Sequence, residues 1–137
     1  MAEETGLLLG NKRDTAPSVP GDIWTEFAKA KVHPDLAHIH FIARAITPPK
    51  RPKRFDTRFF TADATAIAHR IEGIISPDAE LVELVWIPIE QAAQLDMPTV
   101  TGVVLEELGA RVSAGMAHSL PVPFYSMVEQ KFVRELL

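Results

Sequence analysis

Met1-Ala2-Glu3-Glu4-Thr5-Gly6-Leu7-Leu8-Leu9-Gly10 is the most informative stretch of the chain. Glu3 and Glu4 precede Gly6, a residue that stops helices because it enters the left-handed region without a Cβ penalty. Three leucines follow. The stretch reads as the last turn of a helix leading into buried chain. A helix of one turn is marginal alone, because its nucleus fixes several residues for one hydrogen bond. The competing reading is a frayed N-terminus with a few acidic residues. Carboxylates near a helix end suit Mg²⁺ or Mn²⁺, with water and phosphate oxygens completing the shell. Adjacent side chains diverge by about 100° around a helix, so a full site calls for a third group one turn earlier.

Composition narrows the classes. The 137 residues make one ordinary domain or part of a larger one. Lys plus Arg number 14 and Asp plus Glu 18, so the formal net charge is 14 − 18 = −4. That balance argues against a dedicated nucleic-acid binder held by global charge. Cysteine is absent, which excludes disulfides, thiolate metal sites and cysteine nucleophiles. No apolar run approaches the roughly 20 residues of a membrane span, and the first residues are acidic where a signal peptide is basic. The expectation is a cytoplasmic protein without a membrane partner.

Pro17, Pro20 and Gly21 make 11–21 a loop or linker. Asp22 is expected to cap a short helix through Lys31, with Ile23, Phe27 and Ala30 on one face. Residues 38–47 alternate as a strand, with His40, Ile42, Arg44 and Ile46 on one side. Prolines 48, 49 and 52 break the chain, and a second strand from about Arg54 to Thr61 pairs back as a hairpin. Residues 62–70 form a short helix or an irregular excursion. Leu81 to Ile87 reads as a third strand, ended by Pro88. Ile89 to Leu95 fits a brief helix. Pro98 starts a longer one, with Val100, Val103, Val104 and Leu108 on its apolar face. Val122, Phe124 and Tyr125 make a short extended element. The class is α+β, with a sheet that lacks members.

Seven opening positions and the chain behind them resemble the Nudix hydrolase family. Its motif reads Gly-x5-Glu-x7-Arg-Glu-U-x-Glu-Glu-x-Gly-U, with U aliphatic. Met1 falls on an aliphatic position, Glu3 and Glu4 on the paired glutamates, Gly6 on the glycine and Leu7 on the closing aliphatic. Phe41-Ile42-Ala43-Arg44-Ala45-Ile46-Thr47-Pro48-Pro49, Arg54-Phe55-Asp56-Thr57-Arg58-Phe59-Phe60 and Glu83-Leu84-Val85-Trp86-Ile87-Pro88 extend the likeness, closest to the coenzyme A diphosphatase-like branch. The resemblance implies a partial Nudix-type α/β/α sandwich with a mixed sheet. Residues 1–137 would be the C-terminal portion of one domain, its N-terminal strands and the first half of the box lying before Met1. It implies Mg²⁺- or Mn²⁺-dependent hydrolysis of a phosphoanhydride in a small nucleotide derivative such as ADP-ribose or coenzyme A. Glu3 and Glu4 would be catalytic and metal-holding, Glu4 the better ligand. Such activity is expected to be impaired without the missing half of the motif.

Arg44, Arg54, Asp56 and Arg58 are the candidate substrate-binding group. Asp56 and Arg58 share a strand face, and arginine's fork suits a diphosphate. A structural Asp–Arg pair explains the same residues. Lys50, Arg51, Lys53, Arg54 and Arg58 put five basic residues in nine, a patch that steers an anion or is a plain solvated loop. Histidines 33, 38, 40, 69 and 118 match no metal spacing. Phe55, Phe59, Phe60 and Trp86 are expected in the core, Trp86 above all. Glu72, Glu80 and Glu83 are open as a further ligand. Two other functions compete: a non-catalytic protein binding an anion or a partner, and a non-functional fragment from a misplaced start. Missing sheet partners would leave apolar faces open, so a homo-oligomer is expected.

Overall fold

The computed structural model describes residues 1–137 except Val19, Ala93 and Gln130, and excludes the side chain of Ile23. It is a mixed α+β fold whose contacts gather into two compact units. The first comprises Met1–Ile39 with Ala62–Trp86, the second His40–Thr61 with Ile87–Leu137.

The first unit is built around β1 (Leu7–Lys12), the middle strand of a three-stranded sheet between β2 (Val32–Pro34) and β5 (Ile67–Arg70). Both pairings are antiparallel, and the β5 register shifts between Leu8 and Leu9. A single helical turn, α1 (Ala2–Thr5), leads into β1. The Thr5 and Gly6 N–H groups donate to the Met1 and Ala2 carbonyls at 2.8 and 2.9 Å. Gly6 then turns left-handed, at φ 73°, and its carbonyl accepts from the Ile71 N–H at 2.8 Å. Leu8 is completely buried with Phe27 and Val32, and Ala2, Trp24, Ala30, Ala68 and Ile71 pack around them. Burying one leucine side chain contributes about 2 kcal/mol.

Asp22 does not cap the following helix, contrary to expectation. It opens a 3₁₀ turn (Asp22–Trp24), and α2 (Thr25–Ala30) starts behind it with no side-chain cap. The Asp22 carbonyl accepts from the Thr25 hydroxyl at 2.7 Å instead. Lys31 closes α2 at φ 55°. The side chain of Ile23, expected on that helix face, lies outside the described residues.

The second unit holds a four-stranded mixed sheet: β4 (Asp56–Ala62), β3 (Ile39–Ile46), β6 (Pro123–Val128) and β7 (Lys131–Leu136), in that spatial order. β3 and β6 run parallel, β6 and β7 antiparallel. A short helix, α3 (Ile89–Ala92), precedes the long helix α4 (Thr99–Ser113). The brief helix expected to reach Leu95 runs through Ala93, which lies outside the described residues. Val104 of α4 is buried with Ile42, Ala43, Ala45 and Tyr125, and Val100, Val103 and Leu108 pack against them, the face predicted from spacing.

Three expectations fail. Leu81–Ile87 is no strand: residues 81–88 carry no regular structure, because extended chain becomes a strand only with a neighbour to pair with. Trp86 is consequently 70% exposed rather than core. The expected linker at 11–21 begins too early, since β1 continues through Lys12 on its pairing with Val32. Residues 62–70 resolve into a 3₁₀ turn (Ala64–Ala66), capped by Asp63 through the Thr65 N–H, followed by β5. Among the described residues, no helix is long and apolar enough to cross a membrane.

Arg111 on α4 is the buried charge of the second unit. Its Nε donates to Glu107 Oε1 at 3.0 Å and its Nη2 donates to the Pro121 carbonyl, while Arg134 reaches Glu107 Oε2 at 3.4 Å. Removing one partner of a buried pair leaves the other charge uncompensated. Glu107→Ala is therefore expected to destabilise by about 3 kcal/mol in urea unfolding. A cost near zero would remove Glu107 as the partner of Arg111.

Gly6 and Gly21 separate backbone strain from crowding. Both have positive φ, 73° and 74°. A Cβ on Gly6 would lie 2.5 Å from the Ile71 carbonyl oxygen, whereas at Gly21 nothing lies within 4 Å. Gly21→Ala is expected to cost about 1 kcal/mol and Gly6→Ala about 3 kcal/mol. Both tryptophans belong to the first unit, so fluorescence-monitored unfolding reads the difference. Equal costs would show that the turn at Gly6 relaxes freely.

Candidate functional site

Two arrangements hold the residues singled out from sequence, one in each unit. In the first, α1 carries Glu3 and Glu4 on one turn, both exposed. The turn is tied down twice more by Thr5, whose hydroxyl donates to the Met1 carbonyl at 2.7 Å and accepts from the Leu7 N–H at 3.2 Å. Beside it lies an apolar cavity of about 480 Å³, lined by Ala2, Leu7, Leu9, Trp24, Phe27 and Leu36, with Glu3 and Asp35 as its acidic members. Trp24 and Phe27 meet there with ring centroids 5.1 Å apart. Such a volume is of the size that takes a small organic group. Glu4 does not border it, as expected for neighbours that diverge around a helix.

Asp35 is fixed by its surroundings. The Ala37 N–H and then the Asn11 side-chain amide hydrogen-bond its carboxylate at 2.9 and 2.8 Å and hold its pKa below the usual range. His38 Nε2 stands 3.9 Å away. Sequence reasoning passed over this cavity: Trp24 and Asp35 converge only through the packing of α2 and β2 against β1. The Trp24 and Phe27 spacing, i and i+3 in a helix, was the available signal.

Among the described residues, no group of three or more His, Asp or Glu is close enough to hold a metal ion. Glu72, Glu80 and Glu83 are exposed and add no third carboxylate to Glu3 and Glu4. Mg²⁺ is commonly held by one or two carboxylates with water and phosphate oxygens completing an octahedron. The hard oxygens of Glu3 and Glu4 fit that chemistry and do not form a protein cage.

In the second unit, Arg44 on β3 and Asp56 on β4 form a two-pronged ion pair. Arg44 Nε donates to Asp56 Oδ1 at 2.8 Å and Nη2 to Oδ2 at 2.6 Å. The same guanidinium sits 4.8 Å from the ring centre of Phe124, its register partner on β6. Arg44 thus links three strands, and its fork is occupied by Asp56. The pair's hydrogen bonds hold the Asp56 carboxyl low and the Arg44 guanidinium high, and the charge of Arg58 lowers Asp56 further. Arg54 Nε donates to the Thr47 carbonyl at 3.1 Å. Thr47 and Phe55 close the proline loop: the Thr47 N–H donates to the Phe55 carbonyl at 2.9 Å, and the Phe55 N–H to Thr47 Oγ1 at 3.0 Å. Lys50, Arg51, Lys53, Arg54 and Arg58 are all exposed around this frame. Phe59 packs on the core, but Phe55 and Phe60 are exposed, so the aromatic expectation holds only for Phe59. His40 stacks on His118 at 4.0 Å between ring centres, a pairing 78 positions apart that no local spacing signals.

The chain matches no family model, no curated protein and no solved structure.

The Arg44–Asp56 pair makes a pH prediction. Asp56 has a lower pKa folded than unfolded, so its contribution is present above the ordinary carboxylate range and is lost as pH falls through the folded value. Asp56→Asn removes that contribution at every pH. The wild-type advantage in Tm is expected to be largest near pH 6 and to shrink towards about pH 3. A gap that stays constant over this range would mean that the carboxylate's charge stabilises nothing.

Proposed function

We propose that this chain carries the end of a Nudix-type metal motif, within a partial Nudix-type sandwich. Its activity would be Mg²⁺- or Mn²⁺-dependent hydrolysis of a phosphoanhydride in a nucleoside diphosphate derivative such as ADP-ribose or coenzyme A, in a cytoplasmic setting. The observation that carries the reading is the opening turn. Two exposed carboxylates stand on a helical turn stopped by a left-handed glycine with no room for a side chain, directly before the strand that buries Leu8. The motif requires that order of carboxylate pair, glycine and aliphatic residue. Glu3 and Glu4 would hold the ion. When bound, the ion supplies positive charge to the phosphate oxygens and orients water. The cavity beside Glu3 has aromatic and aliphatic walls suited to a base or another flat apolar group, with Trp24 and Phe27 offering the ring faces. In the second unit the exposed basic loop raises the local concentration of an anion.

The second reading, anion binding without turnover, is favoured by one specific feature. The five basic residues surround a loop closed by four hydrogen bonds between Thr47, Arg54 and Phe55, whereas among the described residues Glu3 and Glu4 have no third carboxylate beside them to complete a metal-holding group.

Calorimetric titration with Mg²⁺ and Mn²⁺, alongside phosphate-product release from ADP-ribose, coenzyme A and dinucleotides, tests both. Ion binding and weak turnover abolished by EDTA are expected. Glu3→Gln and Glu4→Gln should each weaken ion binding by at least about tenfold. Heat from neither ion, with no product from any substrate, overturns the hydrolase. Nucleotide binding that survives EDTA at full strength would then leave the second reading.

A further inference from the structure

Leu81-Val82-Glu83-Leu84-Val85-Trp86-Ile87 has the composition of a strand and the surroundings of none. Six of its seven residues are Leu, Val, Ile or Trp, four of them β-branched or aromatic, and Pro77 and Pro88 bound it. No strand among the described residues pairs with it. Val82, Val85, Trp86 and Ile87 are all exposed. A row of apolar side chains on backbone free of regular pairing is what an open sheet edge can take up as an added strand.

The chain also contains such an edge. β4 ends the four-stranded sheet, so its outer backbone groups are unpaired among the described residues. Phe60 on the strand and Phe55 just before it are exposed aromatics. The two segments carry opposite charge. Over residues 50–63, Lys50, Arg51, Lys53, Arg54 and Arg58 oppose Asp56 and Asp63, giving 5 − 2 = +3. Over residues 78–90, Asp78, Glu80, Glu83 and Glu90 give −4. The other end strand, β7, offers no such complement: Lys131 and Arg134 are offset by Glu135, and Arg134 is engaged by Glu107.

We infer that Leu81–Ile87 of one copy adds as a strand to the β4 edge of a second copy of this chain. Backbone hydrogen bonds hold the added strand, Trp86 covers exposed aromatic surface, and the acidic flank meets the basic loop. Every copy holds one donor segment and one acceptor edge, so two copies have what a reciprocal exchange requires. The inference is independent of the hydrolase reading, since it uses neither Glu3 nor Glu4.

Sedimentation of the whole chain between about 1 and 100 µM tests it. A species heavier than the 15.1 kDa chain is expected, dissociating as the protein is diluted or salt is raised. Val85→Pro removes a strand N–H where a single copy pairs none, so the fold should persist, checked by circular dichroism, while association weakens by at least about tenfold. Glu83→Lys and Arg58→Glu should each weaken association, and mixing these two variants should restore it, because each then offers the other an opposite charge. A wild-type chain that stays monomeric throughout, with amides 81–87 either open or protected within one copy, overturns the inference. So does a Val85→Pro chain that associates like the wild type, or a charge-swapped mixture that fails to recover.

Discussion

Everything in the first unit depends on how closely neighbouring backbone approaches β1. Gly6 lies where any side chain would strike the Ile71 carbonyl, and Gly10 where one would strike the His33 carbonyl. These two approaches, one towards β5 and one towards β2, set the ends of the stretch in which Leu8 is sealed from water. The left-handed turn at Gly6 also sets where the exposed helical turn stops. Glu3 and Glu4 are therefore held at a fixed point of entry to the strand that buries Leu8, rather than on a loose end.

The second unit depends on a different kind of tie. Arg44 joins β4 through Asp56 and β6 through the face of Phe124, so one side chain spans three strands. The ion pair is partly exposed, so its value lies more in fixing which residues face each other than in raw stability. A guanidinium already committed to a carboxylate has less to offer a phosphate, which leaves Arg54, Arg58 and the loop lysines as the accessible positive charge. On α4, Arg111 and Glu107 provide the buried counterpart, where pairing is obligatory because an isolated charge there is costly.

Local rules succeeded where the determinant was local. Gly6 as a helix stop, Pro98 before a helix, the apolar face of Val100, Val103, Val104 and Leu108, and the alternation of 39–46 each follow from neighbours within a few positions. They failed where a partner decided. Leu81–Ile87 has strand composition and, among the described residues, no strand beside it, so Trp86, expected in the core, is exposed. β2 and β5 are three and four residues long, too short for a pattern, and exist because β1 lies between them.

The amino-acid sequence by itself determined the carboxylate pair before a glycine, the density of basic residues at 50–58 and the positions of the long helix and the central strands. These are properties of composition, of turn chemistry and of periods of two and 3.6 residues, which adjacent residues are enough to impose. Folding in three dimensions was needed to bring Trp24, Phe27 and Asp35 together beside Glu3, to occupy Arg44 with Asp56 and Phe124, to lay His40 on His118, and to leave 81–87 without a strand partner among the described residues. Each of those depends on groups brought together from distant positions or on a missing neighbour, and burial and strand pairing are long-range events that no short window of sequence encodes.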